Sequence, residues 1–176
     1  MRAQIVRELG SPDVLSFDEL DPLVPGPGQV LIDMNAAGVT FTDGLIVAGT
    51  YQSQPALPLV AGSEVAGVVT AVGGDVTHLA VGDRVLAFTG MGGYAEQVVA
   101  SADMTFPIPD RMPYVDAAGF PVTYGTSFHG LVDRAGLREG ETLLVLGASG
   151  GVGLTAVEIG KALGARVIAA APSPEK

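Results

Sequence analysis

A glycine-rich turn in the last quarter of the chain is the segment whose residue types and spacing most clearly suggest chemistry. Residues Gly147–Gly153 read Gly-Ala-Ser-Gly-Gly-Val-Gly, and they follow the apolar run Thr142–Leu146. Such a turn lets backbone N–H groups approach a pyrophosphate closely, and the start of the following helix adds a partial positive charge. The apolar positions of that helix recur at helical spacing: Val152, Ala156, Ile159 and Leu163.

The strand before the turn and the helix after it favour dinucleotide binding over a purely structural tight turn. Ala148 stands where the strict Gly-x-Gly-x-x-Gly pattern has its first glycine. The predicted cofactor contacts of the turn are Ala148, Ser149, Gly150, Gly151, Val152 and Gly153.

The end of the next apolar run, Arg166–Ala170, bears on the choice between NADH and NADPH. A carboxylate at this tip would bind a ribose 2′-hydroxyl, and the residues that follow place none there. Ser173 can donate a hydrogen bond to a 2′-phosphate and Lys176 can neutralise its charge. Glu175 should lie further along, in the next helix, so NADPH is favoured.

The elements around the turn predict two domains. Short apolar runs separated by Gly/Pro turns indicate a small β-barrel or sandwich over the first hundred residues. Two short helices fit residues 114–135, interrupted around residues 119–121, and a strand–turn–helix–strand unit follows. We expect domains at 1–121 and 122–176. A doubly wound sheet has about five or six strands, so the second domain is expected to be truncated, with bare edges and an uncovered face.

Composition excludes several classes of function. The chain lacks cysteine, which rules out disulfides, thiolate zinc sites and cysteine nucleophiles. Its net charge of −10 arises before residue 122, where four Lys/Arg face fourteen Asp/Glu, and this acidity argues against nucleic acid as a partner. No apolar run reaches membrane-spanning length and no signal peptide is evident. A soluble cytoplasmic protein is expected.

Seven segments spread along the chain carry a common resemblance: 37–43, 49–51, 62–73, 82–85, 92–96, 117–126 and 147–153. Together they resemble zinc-independent NADPH:quinone oxidoreductases of the zeta-crystallin-like type, within the medium-chain dehydrogenase/reductase superfamily. The resemblance implies a mainly β, GroES-like catalytic domain followed by the start of an α/β Rossmann domain, that is, the N-terminal half of such an enzyme.

The resemblance also implies that catalytic zinc is absent. Zinc members of the superfamily have Cys where this chain has Thr40 and His where it has Ser63, and only Glu64 survives of that set. Hydroxyl groups are poor zinc ligands beside thiolate and imidazole. His78 and His129 lie outside the motifs, and a surface or packing role is expected for each.

By the same resemblance, Tyr51 is the candidate hydrogen-bond donor to a substrate oxyanion, and Thr126 matches a threonine beside the nicotinamide. The alternative role of Tyr51 is that of a half-buried aromatic residue that lines the barrel. The alternative role of Thr126 is that of a hydroxyl that caps a helix or packs within it. Thr40, the third candidate catalytic residue, replaces the Asn usual in quinone reductases, which leaves the substrate open. Asp43 can simply cap the following helix.

The expected activity is NADPH-dependent hydride transfer to a quinone or an α,β-unsaturated carbonyl, in a homo-oligomer, most simply a dimer. The alternative is a catalytically inactive remnant that combines a GroES-like domain with a partial nucleotide site and acts by binding or by subunit association.

Overall fold

The computed structural model describes residues 1–53 and 55–173, and the chain divides into two compact units, Met1–Gly119 and Phe120–Lys176. The predicted boundary at residues 121 and 122 stays a prediction. Among the described residues, no helix is long and apolar enough to cross a bilayer.

Among its described residues, the first unit contains eight strands and two short α-helices. In chain order they are β1 (Arg2–Val6), β2 (Leu15–Glu19), β3 (Gln29–Ala37), α1 (Phe41–Val47), β4 (Leu59–Val60), β5 (Glu64–Val72), β6 (Arg84–Phe88), β7 (Gln97–Ser101), β8 (Thr105–Pro107) and α2 (Tyr114–Ala118). A five-stranded antiparallel sheet has the order β7-β3-β5-β6-β8, and a second sheet has the order β2-β1-β4. The mainly β prediction is therefore confirmed.

The core of the first unit follows the strand periodicity. β5 is buried along most of its length because it lies between β3 and β6, which explains its small, apolar, β-branched composition. The residues that form the main core cluster are Val30, Ile32, Val65, Val69, Leu79, Val85, Ala87, Val98, Ala100 and Ala102.

One strand begins later than its apolar pattern indicates. The pattern predicts a strand from Tyr94, whereas β7 begins at Gln97. Residues 94–96 instead pair mainly with β1: the amide of Gln4 donates to Tyr94 O at 2.8 Å, and the amide of Glu96 donates to Arg2 O at 3.0 Å. Glu96 O in turn accepts from the amide of Met34 in β3 at 2.9 Å. The segment therefore contacts the small sheet before it joins the large one.

The second unit contains the parallel strand pair that the sequence predicts. It comprises α3 (Phe120–Phe128), a π-helical turn (His129–Arg134), β9 (Thr142–Leu146), α4 (Gly151–Ala162) and β10 (Arg166–Ala170). β9 and β10 pair in parallel from Thr142↔Arg166 to Leu146↔Ala170. On one face of this pair Leu144 and Leu146 remain 57% and 76% exposed, as the expected uncovered face requires.

Candidate functional site

The glycine turn joins β9 to α4 through an unusual backbone path. Gly147 has a φ of +71°, a conformation that favours glycine. The amide of Ala148 donates to Ala170 O at 3.0 Å, which ties the turn to the end of β10. Gly150 is the N-cap residue of α4 and has an extended backbone, and no side chain caps the first amides of the helix. The first amides of α4 therefore remain available to an anion.

Gly153 allows α4 to approach the turn this closely. A Cβ atom built at Gly153 would lie 2.2 Å from Gly147 O and 2.9 Å from Ala148 Cα. Both neighbours are backbone atoms, so no side-chain rotation could relieve the overlap. The third glycine of the pattern is thus required by packing, independently of any ligand.

An open cleft of about 590 Å³ lies beside the turn, within the second unit. It brings together Ala148 and Ser173, two of the predicted cofactor contacts. The described residues that line it carry no charged side chain. They are Ala148, Leu154, Val157, Ala169, Ala171, Pro172 and Ser173. Lys176, the other residue predicted to contact a 2′-phosphate, lies outside the described residues.

Two buried hydroxyls connect α3 to α4. The Ser127 Oγ lies 2.8 Å from the Thr155 Oγ1, and both hydroxyls are within hydrogen-bond distance of Val152 O, at 2.7 and 3.0 Å. The Thr155 hydroxyl also reaches Thr123 O at 3.0 Å. This network holds α3 against the helix that follows the glycine turn. Thr126, next to Ser127, is exposed on α3.

The other two candidate catalytic residues, Thr40 and Tyr51, lie in the first unit. Thr40 begins α1 in a reciprocal capping box with Asp43, the helix-capping role expected for that carboxylate. Both the Thr40 amide and the Thr40 hydroxyl donate to Asp43 Oδ2 at 2.7 Å. Tyr51 is half-buried and packs against an apolar cluster that includes Ile46 and Leu59. The Tyr51 hydroxyl makes no hydrogen bond to a described residue.

The positions that resemble a zinc site hold no set of metal ligands. Ser63 and Glu64 are buried. Among the described residues, no three His, Cys, Asp or Glu side chains are grouped so that they could hold a metal ion. His78 Nε2 lies 3.1 Å from Ala102 O, and His129 pairs with Asp133 one helical turn away. Each histidine thus has the packing or surface role expected for it.

Tyr94 belongs to this region although sequence reasoning did not select it. Burial raises the pKa of its phenol far above the ordinary value, and the negative charges of Asp43 and Glu64 raise it further. The available signal was the Gly92-Gly93-Tyr94 segment, since glycines permit close approach of backbone to backbone.

Alkaline unfolding should reveal the environment of Tyr94. Because its folded pKa is raised, the resulting stability is fully present below pH 10 and is lost as the pH rises above 10 toward the folded pKa. We expect the free energy of unfolding, measured with denaturant between about pH 9 and 11, to fall as pH rises. Tyr94→Phe should make this fall shallower, and an identical pH profile in the variant would contradict the assignment.

Comparison with known proteins finds relatives that match nearly the whole chain. Residues 26–110 match the alcohol dehydrogenase GroES-like domain. The quinone oxidoreductase of Rattus norvegicus is 42% identical over 178 residues, which cover 99% of this chain and 54% of that protein. The chain thus spans about half the length of the curated quinone oxidoreductases it matches.

Solved structures agree with this match. The quinone oxidoreductase of Thermus thermophilus has a TM-score of 0.86 at 34% identity, over 99% of this chain and 55% of that one. The quinone oxidoreductase of Escherichia coli, solved in complex with NADPH, has a TM-score of 0.89 at 30% identity, over 99% and 54%. Over nearly its whole length the chain is thus similar to the N-terminal half of quinone oxidoreductases of the medium-chain dehydrogenase/reductase superfamily.

Proposed function

We propose that this chain is part of an NADPH-dependent oxidoreductase that transfers hydride to a quinone or an α,β-unsaturated carbonyl without zinc. The observation that carries the proposal is the turn at Gly147–Gly153, whose uncapped helix start lies beside an open cleft. The NADPH complex of the Escherichia coli relative supports the choice of cofactor.

The residues of the second unit fit the cofactor. The amides of Gly151, Val152 and Gly153 at the start of α4 would bind the pyrophosphate. Ser173 would donate to the 2′-phosphate, and the lack of a carboxylate among the described residues of the cleft removes the repulsion that this phosphate would otherwise meet. When bound, NADPH supplies the hydride, and the chain supplies position and hydrogen bonds.

The hydrogen bonds in the first unit favour Tyr51 over Thr40 as donor to the substrate oxyanion. The Thr40 hydroxyl already donates to Asp43 Oδ2 at 2.7 Å, so its single proton is engaged. The Tyr51 hydroxyl makes no hydrogen bond to a described residue, and the Tyr51 ring packs against an apolar cluster. One positioned donor stabilises the charge that develops on a carbonyl oxygen during hydride transfer. Thr126 is proposed to contact the nicotinamide.

One surface is compatible with the alternative of a non-catalytic binding protein. Leu144, Leu146 and Ile168 leave an apolar face of the β9–β10 pair exposed, and such faces are typical of surfaces that pair with other protein. Association through this face would serve a catalytic homodimer and an inactive subunit equally, so only activity separates the two. Dimeric assembly and a cytoplasmic location remain part of the proposal.

The cofactor assignment is tested by binding of NADPH and NADH to the full chain, followed by nicotinamide fluorescence. We expect Ser173→Ala to weaken NADPH binding by about tenfold, because one hydrogen bond to a charged group is lost, and to leave NADH binding unchanged. Lys176→Glu should likewise weaken NADPH binding and leave NADH binding nearly unchanged. Ser101→Ala, at an exposed serine of the first unit, is the control. Equal losses for both nucleotides would contradict the 2′-phosphate assignment.

A further inference from the structure

Two buried hydroxyls, one on α3 and one on α4, converge on a single carbonyl oxygen in the first turn of α4. Ser127 and Thr155 are only 4% and 5% exposed. The Ser127 Oγ lies 2.7 Å from Val152 O, and the Thr155 Oγ1 lies 3.0 Å from the same oxygen. α3 is also close to the first residue of α4, because a Cβ atom at Gly151 would lie 3.2 Å from Thr123 Cγ2.

This carbonyl oxygen belongs to the same peptide group as the Gly153 amide. Partial double-bond character couples the two ends of a peptide group, so a hydrogen bond to the oxygen makes the N–H a stronger donor. The 2.7 Å contact makes Ser127 the donor to Val152 O. The Ser127 Oγ then accepts from the Thr155 hydroxyl at 2.8 Å. Bonds in such a chain strengthen one another, by about 10–30% each.

The Gly153 amide is also one of those that would bind the cofactor pyrophosphate. It lies in the first turn of α4, where amides have no partner within the helix. We propose that Ser127 and Thr155 are positioning residues for the pyrophosphate. Their hydroxyls orient and polarise the peptide group between Val152 and Gly153, whose N–H donates to a pyrophosphate oxygen. This inference rests on the proposed nucleotide site, and it gives a role to two residues that do not line the described part of the cleft.

The polarisation is measured without any nucleotide, through the amide nitrogen of Gly153 in NMR spectra of the full chain. A hydrogen bond to the preceding carbonyl oxygen deshields this nitrogen. Ser127→Ala and Thr155→Val should therefore each move its resonance upfield, and the double variant should move it furthest. Thr155→Ser keeps the hydroxyl and should leave the resonance near its original position. Thr142→Val, at an exposed threonine at the end of β9 remote from the turn, is the matched control. An unchanged Gly153 resonance in the double variant would overturn the proposal.

Binding of three nucleotides separates positioning from a general loss of structure. NADPH and 2′-phospho-ADP-ribose contain the pyrophosphate, whereas 2′-AMP has the 2′-phosphate without it. We expect the double variant to bind the first two about three- to tenfold more weakly, because one hydrogen bond to a charged group is weakened. Its affinity for 2′-AMP should be unchanged. Nicotinamide fluorescence measures NADPH binding, and displacement of NADPH measures the other two.

The same titrations distinguish failure of this inference from failure of the nucleotide site. Equal losses for all three nucleotides, together with a lower Tm, would show a purely structural role for the two hydroxyls and overturn the proposal. An NADPH affinity that stays unchanged in the double variant would overturn it as well. If the unaltered protein binds none of the three nucleotides, the proposed site itself fails and the positioning role fails with it.

Discussion

Replacing Gly153 with alanine is expected to weaken NADPH binding and to destabilise the second unit. The added Cβ atom would lie 2.2 Å from Gly147 O, so α4 and the turn must separate. Overpacking of this kind costs about 1–3 kcal/mol. The amides of the helix start would move with α4, and we expect the NADPH affinity to fall by about tenfold or more. Nucleotide titration and thermal unfolding of the full chain measure the two effects.

Alanine substitutions at two other glycines distinguish the steric overlap at Gly153 from a general effect of adding a methyl group. A Cβ atom at Gly130 meets no atom within 4 Å, so Gly130→Ala should keep both NADPH affinity and Tm. At Gly150 the Cβ atom would lie 3.5 Å from Gly147 O, an ordinary contact, so Gly150→Ala should keep the Tm. If Gly153→Ala binds NADPH as well as the unaltered protein does, the turn is not the cofactor site.

Replacing Arg84 with methionine is expected to cost the first unit about 2–3 kcal/mol of unfolding free energy. Its guanidinium donates to the Tyr114 hydroxyl at 3.0 Å and to three carbonyl oxygens, those of Pro109, Asp110 and Met112. It also lies 4.5 Å from the centre of the Tyr114 ring. Hydrogen bonds to charged groups each contribute about 1.5–3 kcal/mol when buried, and the partial exposure of Arg84 reduces that sum.

Arg84→Lys should fall between the methionine variant and the unaltered protein, because an ammonium group keeps the charge but cannot reproduce the planar fork of donors. Arg111 is an exposed arginine in the segment 109–114 that Arg84 contacts. Arg111→Ala should change the unfolding free energy by less than about 0.5 kcal/mol. Denaturant unfolding at neutral pH measures all three variants. A loss at Arg84 no larger than that at Arg111 would show that the bonds to residues 109–114 do not stabilise the unit.

The local sequence pattern was sufficient to predict β9, α4 and β10 of the second unit. The apolar run Thr142–Leu146, the glycines after it and the helical spacing of α4 all act within about thirty residues, and β9, α4 and β10 follow that pattern. A turn of this kind is specified by residue types that few other structures tolerate. The same holds for Thr40 and Asp43, whose spacing of three residues is that of a capping box.

The interactions that sequence reasoning missed join residues far apart in the chain. Arg84 reaches carbonyl oxygens 25 to 28 residues away, and a carbonyl leaves no trace in residue type. Tyr94 lies 51 positions beyond Asp43 and contributes through burial, which depends on how β1, α1 and β4 pack together. Tyr94 was also assigned to a strand that in fact starts at Gln97, so its role was hidden behind a local pattern.

The most direct test of the proposed function is NADPH consumption by this protein, purified from its own cells, in the presence of simple quinones and enones. The enzyme-free rate is subtracted, and each assay is repeated with a metal chelator. The account predicts turnover with NADPH that the chelator does not reduce and that Gly153→Ala loses. No turnover above the blank across the panel would contradict it and favour the non-catalytic alternative. Loss of activity with chelator that added zinc restores would contradict the zinc-independent mechanism.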